Sequence, residues 1–281
     1  MNPGIRPAVP NPATPAPQPP SAEYPPLDER YFSDASEPEM PRSGLPASVQ
    51  SLAVTVVIAI FVIAFIVQAF QIPSESMENT LLIGDYLLVD KVHYSGDGLW
   101  GRILPYGEIR RGDIIVFRYP VHPQQHFVKR VIGLPGDRVR IVNKRVFVND
   151  APVREKYVVY RSGAHDPYRD DFPNTKALNT NVDPRWWLQM RSLVSGRELV
   201  VPADSYFVLG DNRDESLDSR YWGFVPRESI IGRPLLIYWS LRTAPGQKAA
   251  TQMGDKILRV AYNLTHLFQQ TRWDRTLRVI R

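Results

Sequence analysis

Acid–base or covalent chemistry in this chain must come from hydroxyl, amine, imidazole or carboxylate groups, because its 281 residues include no cysteine. That excludes a disulfide scaffold, a zinc–thiolate centre, an iron–sulfur cluster and a thiol nucleophile. Five histidines are present, His93, His122, His126, His165 and His266. A Ser-His-Asp hydrolase would need one of them beside an activated serine, and no G-x-S-x-G elbow occurs. His122 and His126 are four apart, but Pro123 argues against a helix presenting both to a metal. They read better as surface or strand-edge histidines. In the acidic run GDNRDESLDSR (210–220), Asp211, Asp214, Glu215 and Asp218 do not fit the spacing of an EF-hand loop. Arg213 and Arg220 are interleaved with them, which favours a loop braced by Arg–carboxylate bonds over a cation cage.

Lys129 has a more specific setting. Its neighbours Phe127, Val128, Val131 and Ile132 are apolar. In a strand, Phe127 and Val131 share its face, while Arg130 points the other way toward a carboxylate or solvent. Lysine acts as a base only when neutral, and full burial can lower its pKa from about 10.4 by roughly 3–5 units. A neutral lysine could then activate a serine hydroxyl, which is a poor nucleophile by itself.

Several kinds of element must position these groups. Residues 1–47 hold 13 of the 26 prolines and little apolar periodicity, and read as an extended, mostly disordered arm. A ligand for some Pro-recognising partner is the alternative. The run SLAVTVVIAIFVIAFIVQAF (51–70) is uncharged and about as long as a hydrocarbon core is thick. A transmembrane anchor over 48–71 is expected. A cleaved signal peptide competes with it, but the preceding arm is long and net negative. The flanking charges weakly favour a cytoplasmic N-terminus.

Beyond the anchor, short β-rich runs alternate with turn signals: 86–92, 113–119, 126–134, 137–142, 145–149, 205–210 and 235–240. Asn143-Lys144 reads as a hairpin turn. No βαβ rhythm appears, so the fold class is mainly β, with an antiparallel domain over 72–245. The polar stretch 160–195 looks like an insertion or lid rather than core. In the tail 246–281, apolar residues at helical spacing from Ile257 to Phe268 and basic residues from Lys256 to Arg281 predict a short amphipathic helix. It either packs on the domain or lies on anionic lipid. A net charge of +5 gives no indication of nucleic-acid binding.

Four segments, IPSESMENTL (72–81), GDIIVF (112–117), FVKRVIGLPGD (127–137) and the acidic run, follow one another behind the apolar run. In this order the chain resembles the type I signal peptidases, the membrane-bound serine–lysine endopeptidases of peptidase family S26, over roughly residues 68–240. The resemblance implies Ser76 as nucleophile and Lys129 as general base. It implies an oxyanion hole from the Ser74 hydroxyl and the Ser76 amide, and Ser216 as the hydroxyl that holds the lysine. Asp211, Arg213, Asp218 and Arg220 match the bracing loop. Ile72, Pro73, Met77, Leu81, Phe127 and Val128 are candidates for shallow pockets that admit small residues at substrate positions −1 and −3. Asn79 stands where the family usually has proline, which is expected to loosen the turn after the nucleophile. The implied protein is a single-pass inner-membrane enzyme with its catalytic domain on the extracytoplasmic face. Its partners would be preprotein signal peptides and the lipid bilayer, with no metal or organic cofactor and no nucleic acid. A cytosolic self-cleaving repressor uses the same chemistry, but the apolar run and the lack of a recognisable helix-turn-helix count against it. A catalytically dead, membrane-tethered binding protein is the rival from another class, and Asn79 is the only hint toward it.

Overall fold

The computed structural model describes residues 46–62, 66–92, 94, 107–177, 179–242 and 267–280. The Pro-rich arm up to residue 45, residues 243–245, and residues 246–266 of the expected basic tail, with most of its expected helix, lie outside them. The chain divides into two compact units, Met1–Ser51 and Leu52–Arg281.

The apolar run does not form one continuous helix. Helix α1 covers Ala47–Phe61 and buries none of its residues. Among the described residues no helix is long and apolar enough to cross a membrane. Strand β1 (Val67–Gln71) follows and pairs antiparallel with β2 (Asp85–Asp90), Val67 opposite Asp90 and Gln71 opposite Tyr86. The last five residues of the stretch expected to be an anchor, 67–71, are therefore strand and not helix. Hydropathy averages apolarity over a window and does not register that the last five residues find backbone partners on a strand edge.

A 3₁₀ turn, Glu75–Met77, separates β1 from β2. The chain continues through β3 (Ile114–Arg118), β4 (His126–Gly133), β5 (Arg138–Val142), β6 (Arg145–Val148) and β7 (Ala151–Pro152). Helix α2 (Pro184–Leu193) leads into β8 (Val194–Ser195), β9 (Glu198–Val200) and β10 (Ser205–Leu209). Last come α3 (Ser219–Trp222), β11 (Val225–Pro226), β12 (Ile230–Ser240), α4 (Leu267–Gln270) and β13 (Arg278–Val279). The seven strand-forming runs expected from patterning all appear, with β12 longer than its apolar core suggested.

The strands form two antiparallel sheets. One runs β1-β2-β12-β3-β4-β10-β11, with β13 added to β12, and the other runs β7-β6-β5-β9-β8. The β5–β6 hairpin turns at Asn143 and Lys144 with φ of 49° and 68°, the mirror-image geometry that suits strand twist. Buried on both faces, β3 divides its residues between two cores. Ile115 and Phe117 join the larger cluster, Ile114 and Val116 the smaller one with Ile72, Met77 and Leu81. The core is thus built around the strand next to β4, which carries Lys129.

Two expectations are corrected here. The 160–195 segment is not a lid: Tyr168, Phe172, Trp186 and Met190 are buried in the larger core. Asp183 caps α2 by accepting from the Arg185 and Trp186 amides, with Pro184 at the first helical position. The segment looks polar because its charges flank a few large aromatic residues, and those few do the packing. The tail is not helical to its end. After α4 it turns through residues 271–277 and adds β13 to the sheet. Arg275 is buried and bonds Asp85 at 2.5 Å and the Thr80 carbonyl at 3.0 Å. Helical spacing could not announce the pairing with Leu236 and Ile237 of β12, nor an ion pair whose partner lies 190 residues earlier.

Trp186→Ala should destabilise the domain by about 3–5 kcal/mol in denaturant unfolding, as expected for a buried tryptophan. A loss within about 0.5 kcal/mol would return the segment to the surface.

Candidate active site

The segment after β1 leaves the sheet edge at Ile72 and enters the 3₁₀ turn, so Ser76 is presented on a tight local structure. Ser74 enters that turn with extended backbone (φ −134°, ψ 160°) and its side chain makes no capping bond. The opening N–H groups of such a turn have no partner inside it. Ser76 and Lys129, 53 positions apart, meet here: Lys129 Nζ donates to Ser76 Oγ at 2.6 Å. Both residues are buried, Ser76 to 7% and Lys129 to 4% exposure.

Lys129 lies in mid-β4, opposite Ile115 of β3. Phe127, two residues earlier on the same face, sets its ring 5.3 Å from Nζ and stacks on Tyr119 at 4.3 Å. Burial pushes the Lys129 pKa down to about 8, with Asp218 and Asp211 pulling it back up and Arg220 lowering it further. The lysine thus loses its charge around pH 8, well below the range of a solvated lysine.

Arg130 takes the opposite face, as strand alternation requires. Its guanidinium grips Asp211 bidentately at 2.8 and 2.7 Å, donates to the Gly112 carbonyl at 2.7 Å and to Thr80 Oγ1 at 3.3 Å. Thr80 in turn donates to Asp211 at 2.5 Å. Arg220 holds Asp218 with two bonds of 2.8 Å and reaches the Arg213 carbonyl. Burial alone would raise the Asp218 pKa, but its ion pair with Arg220 and its hydrogen bonds keep it below the usual carboxylate range. Arg213 pairs with Glu155. The four residues expected to brace the 210–220 loop all sit in buried ion pairs. Tyr168 Oη and Trp186 Nε1 both donate to the Arg220 carbonyl, at 2.5 and 3.0 Å, so the former lid candidate supports the loop from behind.

Gly210 closes the arrangement. A Cβ there would lie 2.2 Å from Ser216 Oγ and 2.4 Å from the Ser76 carbonyl oxygen, so no side chain fits.

The outcomes for the other expected residues differ. Ser74 Oγ lies 3.3 Å from Ser76 Oγ, at the mouth of the site. Ser216 is buried beside Gly210, and among the described residues its hydroxyl makes no bond to Lys129; it sits instead by Asp218, whose charged form it favours. A cleft of about 270 Å³ opens over Ser76 and Lys129, lined among others by Ile72, Pro73, Met77, Phe127 and Val128. Leu81 does not line it, being fully buried in the smaller core, because the turn after Ser76 directs it inward. Phe70, His126, Glu215 and Leu217 also line the cleft. Sequence reasoning missed them, as it missed Thr80, Glu155 and the Arg130–Asp211 pair. For Arg130 the alternation gave a direction but no partner. The other contacts carry no local signal. Asn79 has φ of 82°, a left-handed conformation closed to proline, and its amide donates to the Tyr157 carbonyl at 3.4 Å. The turn is held in another way, not simply loosened.

Over residues 46–239 the chain matches the signal peptidase family, peptidase S26. It belongs to that family. Signal peptidase I of Pseudomonas aeruginosa is 38% identical over 189 residues, which cover 62% of this chain and 65% of that protein. Signal peptidase I of Leptolyngbya laminosa is 36% identical over 216 residues, 73% of this chain and 84% of the relative. A signal peptidase I from Enterococcus faecalis, of known crystal structure, is 32% identical, with 46% of this chain and 98% of that one covered and a TM-score of 0.35. The four segments singled out in the sequence all fall inside the region matched to the family.

The strained titration of Lys129 gives a test independent of turnover. A group whose pKa is lower folded than unfolded binds fewer protons when folded, so it destabilises the fold at low pH and this effect fades as pH rises through both values. Lys129→Met should therefore raise stability by about 3 kcal/mol below pH 8, with the gain shrinking toward zero near pH 10.5. Urea melts of both proteins across that range check it, and a pH-independent difference would contradict the buried-lysine assignment.

Proposed function

We propose that this chain is a membrane-anchored serine endopeptidase that removes N-terminal signal peptides from exported preproteins through an acyl-enzyme. The observation that carries the reading is the 2.6 Å contact between Lys129 Nζ and Ser76 Oγ in a dehydrated setting. Neutral Lys129 takes the hydroxyl proton as Ser76 Oγ attacks the scissile carbonyl carbon. The oxyanion is received by the Ser76 N–H and the Ser74 hydroxyl. Collapse expels the amine of the mature protein, which takes the proton back from Lys129. Water then attacks the ester as Lys129 takes its proton, and Lys129 passes that proton to Ser76 Oγ as the ester C–O bond breaks, so that the signal peptide leaves as a carboxylic acid that ionises in water.

The cleft supports the substrate class. At about 270 Å³, walled by Phe70, Ile72, Met77, Phe127 and Leu217, it suits small apolar side chains and excludes bulky ones. Small residues at −1 and −3 are the expected preference. Helix α1 supports an anchor. Val54, Val57, Ile58 and Ile60 are all about half exposed or more, an arrangement stable in lipid and unfavourable in water. The N-terminus is read as cytoplasmic and the peptidase domain as extracytoplasmic at the inner membrane.

Incubation of the detergent-solubilised protein with a preprotein tests the reading. Cleavage should occur, and Ser76→Ala and Lys129→Met should each lower it by at least about 10³-fold. Undiminished cleavage in either variant removes that residue from its role, and no cleavage by the unmodified protein returns the dead-binder alternative. Since only neutral lysine accepts the proton, the rate should climb with pH and level off above about 8. A flat profile from pH 6 to 9 would rule out Lys129 as the base.

A further inference from the structure

Asn212 follows Asp211 directly, and it is completely buried. Its backbone N–H donates to the Ser76 carbonyl at 3.1 Å. Its side-chain Nδ2 donates to the Glu75 carbonyl at 3.4 Å. The same Glu75 carbonyl accepts the Glu78 N–H at 2.9 Å.

A trans peptide group is planar, with its C=O and N–H directed to opposite sides. The Glu75 carbonyl and the Ser76 N–H belong to one such group. Two donors on the carbonyl therefore fix where the N–H points, and they polarise it as a donor. The backbone of Asn212 holds the next peptide plane through the Ser76 carbonyl. One residue thus clamps both planes that flank the Ser76 Cα, and with them the relative placement of Oγ and N–H. Asn212 is itself immobilised. Its neighbour Asp211 is gripped by Arg130, the Val159 N–H donates to the Asp211 carbonyl at 2.9 Å, and the Arg213 N–H donates to the Val159 carbonyl at 3.0 Å.

The other end of the amide sharpens the point. Asn212 Oδ1 is buried without a partner among the described residues. Exchanging the amide oxygen and nitrogen would set two acceptors face to face at the Glu75 carbonyl. A buried acceptor with no donor is unfavourable for stability, so the useful end of this side chain is the N–H that reaches the nucleophile's turn.

We propose that Asn212 is a positioning residue for the oxyanion site, acting through the Glu75–Ser76 peptide group to aim the Ser76 N–H into the cleft. This rests on the reading of Ser76 as nucleophile. Asn212→Ala keeps the backbone bond and removes the side-chain donor, while Asn212→Asp keeps the shape and removes the donor. Loss of an oxyanion donor outright costs about 10²–10³ in rate, so misaiming one should lower kcat about 10- to 100-fold in both variants. KM for a signal-peptide substrate should stay within about twofold. Affinity for a peptide aldehyde, whose hemiacetal with Ser76 carries the oxyanion, should fall in parallel with kcat/KM. An unchanged kcat in a folded variant, or a raised KM with kcat intact, overturns the proposal. If both variants fail to fold, NMR of the labelled unmodified protein decides. A trans-hydrogen-bond coupling between the Asn212 amide nitrogen and the Glu75 carbonyl carbon supports the clamp, and its absence overturns it. Failure of the peptidase reading looks different: the unmodified protein would neither cleave nor bind the aldehyde, and the coupling would still report on the clamp.

Discussion

An ammonium group must be kept from water beside two buried carboxylates without forming an ion pair with either. This condition at Lys129 governs the surrounding architecture. Burial lowers its pKa, and the fields of Asp218 and Asp211 oppose that effect. Were either acid free, the lysine would stay charged and bind it. Each acid is instead occupied by an arginine with two parallel bonds, Asp211 by Arg130 and Asp218 by Arg220. The Arg220 charge opposes the two acids and adds to the lowering at Lys129. The acids earn their place through geometry: Asp218 accepts the Gly210 N–H at 3.1 Å and caps α3, and Asp211 accepts from Thr80. The 210–220 loop is a rigid wall whose charged parts are paired with arginines inside and outside it.

The fold satisfies this condition by strand order more than by local sequence. β4 lies between β3 and β10; Lys129 faces Ile115 of β3, one residue beyond the last β10 pair, Arg130 with Leu209. The loop leaving β10 at Gly210 passes under the Ser76 carbonyl, so close that only a glycine fits. The aromatic layer of Tyr119, Phe127 and Trp222 shields the lysine side of β4. The 160–195 segment then supports the wall from outside through the Arg220 carbonyl.

What could be read in advance follows from the range of each interaction. Strand period, turn residues and the apolar neighbours of Lys129 are properties of a few consecutive residues, and they gave the β domain, the Asn143-Lys144 hairpin and a dehydrated lysine. A loop braced by Arg–carboxylate bonds was legible because acids and arginines alternate within one short run, while the choice of Asp211, Arg213, Asp218 and Arg220 rested on the family resemblance. Their partners were not: Arg130 meets Asp211 across 81 positions, and Arg213 meets Glu155 across 58. Whether an apolar residue lines a cleft or fills a core depends on which way a turn points it, which is why Met77 reaches the cleft and Leu81, four residues on, does not. β1 and β13 were missed for a related reason. Both are short strands recruited by pairing, and their own composition favours helix or tail.

Asn79 is the instructive case, since a missing proline suggested a slack turn behind Ser76. A proline ring stiffens a turn by fixing one φ, but stiffness can also come from ties to remote parts of the chain. Thr80, the next residue, has three. Its hydroxyl donates to Asp211 and accepts from Arg130, and its carbonyl accepts from Arg275 of the C-terminal segment. Arg275 is anchored in turn by Asp85, which also accepts from Ser240 and from the Leu82 N–H. Glu78, on the other side of Asn79, is paired with Arg161. With both neighbours held by contacts from four separate regions, the residue between them can adopt a left-handed φ, which asparagine tolerates and proline cannot. Rigidity after Ser76 is thus supplied by the tertiary structure in place of a ring, and the departure from the family pattern is no argument for a degenerate site.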